Sequence, residues 1–191
     1  STINSQTKMI YLSSPNITSG QHIPLEIFKD FIENVPDNIV VIIDQRFIEF
    51  STKNKVFNPL KYFNKYKNII IIRTFNNYYS IENLELTYII TNKNIATLIA
   101  ESQIINPIDK YTEEIALNVI HDKYYNTIKQ KMVNEKKRVI KLLENNKIPY
   151  LDSDTNYLLI QTKNSRIDMK LKLEEKNVIL YESNDEIKGY W

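Results

Sequence analysis

The chain has 191 residues, 42% hydrophobic and 25% charged, with a formal charge of +2. That is enough to bury a core in one domain, or one domain with a small appendage, and too little net charge to imply a nucleic-acid or anionic-membrane partner. Cysteine is absent, which excludes disulfides and thiolate metal sites and accords with a reducing, cytoplasmic setting.

No apolar stretch approaches the ~20 residues of a membrane span. The opening residues STINSQTK lack the charged-then-apolar pattern of a signal peptide. Lys8–Ser13 (KMIYLS) predicts a short strand, and Pro15-Asn16 to Gly20 a turn. Pro24 opens a helix, a favoured first-turn position. Leu25, Phe28, Ile32 and Val35 recur at helical spacing and should face a sheet, and Pro36-Asp37-Asn38 ends the run. Ile39–Ile43 is a continuous apolar strand closed by Asp44. This strand, helix, strand succession predicts parallel strands covered on both faces. Within the polar, basic stretch Ser51–Asn68, the residues Phe57, Leu60, Tyr62 and Phe63 anchor a short helix.

Ile69–Ile72 is a third apolar run, expected beside the first two strands in one sheet. Arg73 to Ser80 follows as a polar loop at the carboxyl edge, where open α/β folds place their chemistry. Leu86–Thr91 is a further strand. Asn94–Ile104 predicts a helix with Ile95, Leu98, Ile99 and Ser102 on one side, broken at Ile105-Asn106-Pro107-Ile108. Tyr111–Ile120 is another, and Tyr124–Asn145 a long amphipathic one with Tyr125, Ile128, Met132, Val139, Leu142 and Leu143 near its apolar stripe. Its other face carries Lys129, Lys131, Lys136, Lys137, Arg138 and Lys141. Glu135 and Glu144 interrupt that face, so it reads as solvated and not as a nucleic-acid patch. Arg166–Lys176 predicts a helix and Val178–Tyr181 a strand. The two histidines, His22 and His121, stand far apart without a carboxylate at ligand spacing, so no metal site is expected. No P-loop, Rossmann glycine pattern or nucleophile elbow is present.

The loop RTFNNYYSIENLELTY, from Arg73 to Tyr88, resembles the R-T-F-S-K-A-Y-G-L-A-G-L-R-I-G-Y pattern of fold-type-I, class I/II aminotransferases dependent on pyridoxal phosphate (PLP), histidinol-phosphate aminotransferases especially. Arg73, Thr74, Phe75, Tyr79, Leu84 and Tyr88 match; the family's cofactor lysine falls on Asn77 and its phosphate-binding arginine on Glu85. Ser14 to Gly20 is similar to N-P-N-N-P-T-G through Pro15, Asn16 and Gly20, with Ile17 where an asparagine bonds the cofactor's phenolic oxygen. Asp44 to Phe50 resembles D-E-A-Y-x-x-F. Asp44 stands at the partner of the pyridine nitrogen, and Phe47 at a tyrosine that bonds the ring. Tyr150–Thr162 resembles S-x-A-N-F-x-L-V through Ser153, Asn156 and Tyr157, and Val178–Tyr181 resembles G-I-x-V-R with Tyr181 at the arginine.

The resemblance implies an α/β fold: part of an aspartate aminotransferase-like large domain with a mostly parallel sheet (residues 1–108), followed by a small α+β domain (109–191). It implies that the family's first strands and glycine-bearing phosphate loop lie outside this chain. PLP is the implied cofactor, with Asp44, Phe47, Asn16 and Asn77 at cofactor-binding positions and no catalytic lysine. Ile17, Phe47, Asn77, Glu85 and Tyr181 all lack the family's chemistry while the strands are intact. The expectation is a degenerate, non-catalytic protein that does not hold PLP covalently and acts in binding or assembly, as a homo-oligomer or with a partner chain, without nucleic acid or membrane. The alternatives are a genuine PLP-dependent aminotransferase for an amino acid or amino-phosphate substrate, and a remnant without present function.

Overall fold

A computed structural model of the chain describes residues 3–52, 58–102, 108–161 and 171–179. Four strands, β1 (Met9–Ser13), β2 (Val40–Asp44), β3 (Ile69–Thr74) and β4 (Thr87–Thr91), form one sheet in chain order. The first three are parallel and β4 returns antiparallel to β3, with Leu12 opposite Ile43, Ile43 opposite Ile71, and Ile71 opposite Ile90. The three parallel neighbours are those that the apolar runs predict. The boundary at β2 moves by one residue, so that Asp44 lies inside the strand.

Helix α1 (Leu25–Asn34) is the crossover between β1 and β2, and Pro24 caps it. Phe28 and Ile32 lie four residues apart on one face and are fully buried against Val41, Ile43, Ile69 and Ile71. Those strand residues alternate with period two, which puts them all on the side of the sheet that α1 covers. Leu25 is exposed, so contact with the sheet begins one turn later than its spacing predicts.

The expectation of two covered faces is met in the middle of the sheet, where Ile69, Ile70 and Ile71 are all buried, and fails at its edge. Met9 and Tyr11 on β1 are 58% and 55% exposed, and Ile89 on β4 is exposed as well. An apolar run records that a strand can be buried on both sides; what lies on the second side is set by other parts of the structure.

The connection from β3 to β4 carries α2 (Asn76–Tyr79), and β4 is followed by α3 (Lys93–Ser102), α4 (Lys110–His121) and α5 (Tyr124–Asn145), the last with the bounds its periodicity predicts. Asp109 caps α4 by accepting the Thr112 N–H at 2.9 Å. A two-stranded antiparallel ribbon, β5 (Tyr150–Leu151) with β6 (Leu159–Ile160), follows. The short helix expected before β3 is a 3-10 turn, Pro59–Tyr62, with Tyr62 and Phe63 packed on the core and Leu60 exposed; Phe57 lies outside the described residues.

Three expectations about faces are corrected. Leu98 on α3 and Leu142 on α5 are exposed, because α3 packs loosely on β4 and α5 turns Leu143 inward in place of its neighbour. Lys136, placed by its charge on the solvated face, is half-buried, and its Nζ donates to the carbonyls of Ser153 and Thr155, each at 2.7 Å. Val178 and Ile179 lie in no strand, and both are exposed. Of the helix expected over 166–176, residues 171–174 are helical and 166–170 lie outside the described residues, as does Tyr181.

Candidate functional site

Parallel strands bring their carboxyl ends to one edge of a sheet, so the segments after β1, β2 and β3 gather there. Asp44, the last residue of β2, is 3% exposed. Its carboxylate accepts from Arg46 Nε at 3.1 and 3.0 Å, from Arg46 Nη2 at 2.7 Å and from the Arg46 backbone N–H at 3.0 Å. The Tyr11 hydroxyl, from β1, also donates to it. Burial by itself would raise the Asp44 carboxyl; the Arg46 guanidinium, the Tyr11 hydroxyl and the Arg46 N–H outweigh it and hold the group below the usual carboxylate range. The same contacts raise Arg46, while burial and then Asp44 raise the Tyr11 phenol.

Asn77, in α2, donates its Nδ2 to the carbonyl of Arg46 at 3.2 Å. Arg73, on β3, directs Nε and Nη2 to the Oε1 of the fully buried Gln45 at 3.2 and 2.9 Å. Asp44, Arg46 and Asn77 therefore form one connected group. Asn16 and Phe47 meet elsewhere, at Tyr157. The Tyr157 ring stands edge-on to Phe47 with centroids 5.8 Å apart, and its hydroxyl donates to the Asn16 carbonyl at 3.0 Å. The Asn16 side chain closes its own turn, Oδ1 accepting from Thr18 N at 2.9 Å and Ser19 N at 2.8 Å. Ile17 is exposed. Glu85 is exposed and lies in the left-handed region at φ 50°.

A second polar cluster, invisible in the sequence, ties the first loop to the chain beyond α5. Asp154 is 1% exposed and accepts from His22 Nε2 at 2.5 Å, from the Ser51 hydroxyl and from Thr52 N at 3.1 Å. Its own N–H donates to the Gly20 carbonyl at 2.8 Å. Burial works to raise its carboxyl, and the bonds from His22, Ser51 and Thr52 overcome that and bring it down to about 2. Ser14, His22 and Asp154 stand in a row, with Ser14 Oγ 3.3 Å from His22 Nδ1. Ser14 is fully buried and its Oγ already accepts the Ile23 N–H at 3.0 Å, so no substrate carbonyl reaches it and the row is structural. Among the described residues no His, Cys, Asp and Glu grouping could hold a metal ion, and no helix is long and apolar enough to cross a membrane.

A histidinol-phosphate aminotransferase of Haemophilus influenzae is 25% identical over 162 residues, covering 84% of this chain and 44% of its own length. A structure from Erwinia carotovora atroseptica assigned to the same enzymes superimposes with a TM-score of 0.86 at 21% identity, over 97% of this chain and 54% of that one. The histidinol-phosphate aminotransferase of Sinorhizobium meliloti, solved with pyridoxal-5'-phosphate, does so with a TM-score of 0.82 at 16% identity, over 96% and 51%. The two superpositions establish an aspartate aminotransferase-like fold, and the chain spans about half the length of the relatives it matches. The family described as aminotransferase class I and II matches residues 1–184, nearly the whole chain, and to that family this protein belongs.

Proposed function

We propose that this chain is a non-catalytic member of the aminotransferase family, with a role in binding or assembly. The observation that carries this reading is Asn77. A carboxamide forms no imine and shuttles no proton, and the lysine of the family does both; here the amide is already bonded to the Arg46 carbonyl. The other residues at the site do not fit PLP either. Asp44, the counterpart of the pyridine nitrogen's partner, is paired with Arg46, and Ile17 offers no donor to the ring. Glu85 is exposed, so solvent screens the repulsion that its charge would exert on a phosphate, and the reading does not rest on it.

Assembly is supported by the uncovered side of the sheet, where Met9 and Tyr11 on one edge strand and Ile89 on the other expose apolar surface. A second copy of the chain, or a partner polypeptide, would cover it. The same reading divides the chain into a large-domain portion, residues 1–108, and a small domain, 109–191, and places the protein in the cytoplasm. The second reading is a genuine PLP-dependent aminotransferase, and the observation in its favour is that Asp44 is kept and buried at the sheet edge.

Incubation with PLP, reduction with borohydride and peptide mass mapping separate the two. The expected result is no stoichiometric pyridoxyl adduct. An adduct on a single lysine, abolished by substituting that lysine, overturns the non-catalytic reading.

A further inference from the structure

We infer that Arg46 has taken over the place of the cofactor's ring cation, so that Asp44 is retained as a structural fastener and not as a ligand anchor. The inference rests on the non-catalytic reading and gives it a physical cause.

A buried carboxylate without a counter-charge is costly, and a site that awaits a cationic ring must tolerate that cost while empty. Asp44 has no such vacancy. Its two oxygens accept from three atoms of Arg46, namely Nε, Nη2 and the backbone N, and from the Tyr11 hydroxyl. A guanidinium meets a carboxylate as a planar fork, the strongest neutral-pH arrangement open to the pair. The partner lies two residues away, and its backbone is bound to the same carboxylate, so little further chain order is needed to hold it there.

The bonds then run on. Tyr11 lies on β1, Asp44 ends β2, and the Arg46 carbonyl accepts from Asn77 of α2. A residue at the family's lysine position thus braces the same loop that supplies the cation. The Arg46 side chain is 40% exposed, so its outer face meets water while its inner face is spent on Asp44. A protonated heterocycle would have to displace a cation that is covalently part of the site.

The test reads Asp44 directly, by carboxyl carbon-13 NMR on the full chain as a function of pH. The charged and titratable groups that touch Asp44 are Tyr11 and Arg46; Arg73 on β3 is held on Gln45, and Glu49, Tyr78 and Tyr79 stand on the loop after β2 and on α2. Arg46 keeps its charge and the Tyr11 phenol its proton at acid pH, so neither titrates alongside Asp44. In the unaltered protein its midpoint should lie below the ordinary carboxylate range. Arg46→Met, which keeps the length of the side chain, should raise the carboxyl's proton affinity at least tenfold, and Arg46→Lys should fall between the two. Saturating PLP should leave the Asp44 resonance of the unaltered protein unmoved.

A denaturant double-mutant cycle with Asp44→Asn and Arg46→Met supplies the second readout. Each single variant should lower the folding constant at least tenfold, and the double variant should be no worse than the poorer single. Additive effects, an Asp44 midpoint that ignores Arg46, or an Asp44 resonance shifted by PLP would each overturn the inference. If Asp44→Asn does not fold, the two Arg46 titrations decide alone. A lysine adduct with normal Asp44–Arg46 coupling would remove the non-catalytic reading and leave the pair intact. Absence of an adduct with an uncoupled Asp44 would do the reverse.

Discussion

Replacing Asp154 with asparagine should cost stability in a way that depends on pH. In the folded chain the Asp154 carboxyl lies at about 2, against an ordinary value of 3.8, because His22, Ser51 and Thr52 all donate to it against the effect of burial. A carboxyl depressed on folding contributes stability that is fully present above its unfolded value and is lost as pH falls through its folded one. The depression of nearly two units corresponds to roughly 2 kcal/mol at pH 7, at 1.36 kcal/mol per unit. At pH 3 the unfolded carboxyl is mostly protonated and the folded one mostly ionised, and about 1 kcal/mol remains. The variant has nothing to titrate at this position. Urea unfolding of both proteins, followed by circular dichroism at pH 7 and at pH 3, should therefore show a gap that narrows by about half on acidification. Other carboxylates affect both proteins alike and drop out of the difference. A gap of the same size at both pH values would refute the reasoning, since it would mean that the asparagine removes shape and not charge.

Gly20→Ala tests the same junction from its other side. Gly20 adopts φ +70°, and an added Cβ would lie 2.0 Å from Ser153 Oγ and 2.7 Å from Ser153 Cβ, so backbone strain and overlap act together. The expected loss is about 2–4 kcal/mol, read as a lowered melting temperature, and an unchanged melt would show that the junction yields. Light scattering is expected to give a mass above that of one 22.7 kDa chain, with the side of the sheet bearing Met9 and Tyr11 covered. A clean monomer at high concentration would remove the case for assembly through that face.

Strand positions, their parallel order and the span of α5 follow from local patterns, and these were legible. Runs of isoleucine and valine favour strands, and the spacing of Phe28 and Ile32 places one helix face against the sheet whatever the rest of the chain does. Asp44 was legible as the residue at the end of a buried strand. Its partnership with Arg46 was within reach of a sequence reading, since the two are two residues apart, but the Tyr11 hydroxyl that completes the arrangement comes from a different strand. Asn16 reads as a cofactor position, and in the structure its side chain is engaged in its own turn.

What the sequence by itself determined is therefore the set of elements and the side of each that is able to be buried. Tertiary structure alone decided which of those sides are in fact covered, and which polar groups meet. Met9 and Tyr11 belong to an apolar run and still face outward, because one strand's pattern holds no information about the layer beyond it. His22 and Asp154 are 132 residues apart and lie 2.5 Å from each other. No periodicity spans that separation; the contact exists because folding brings the loop after β1 against the chain that follows α5, and a buried carboxylate there requires donors within hydrogen-bond reach.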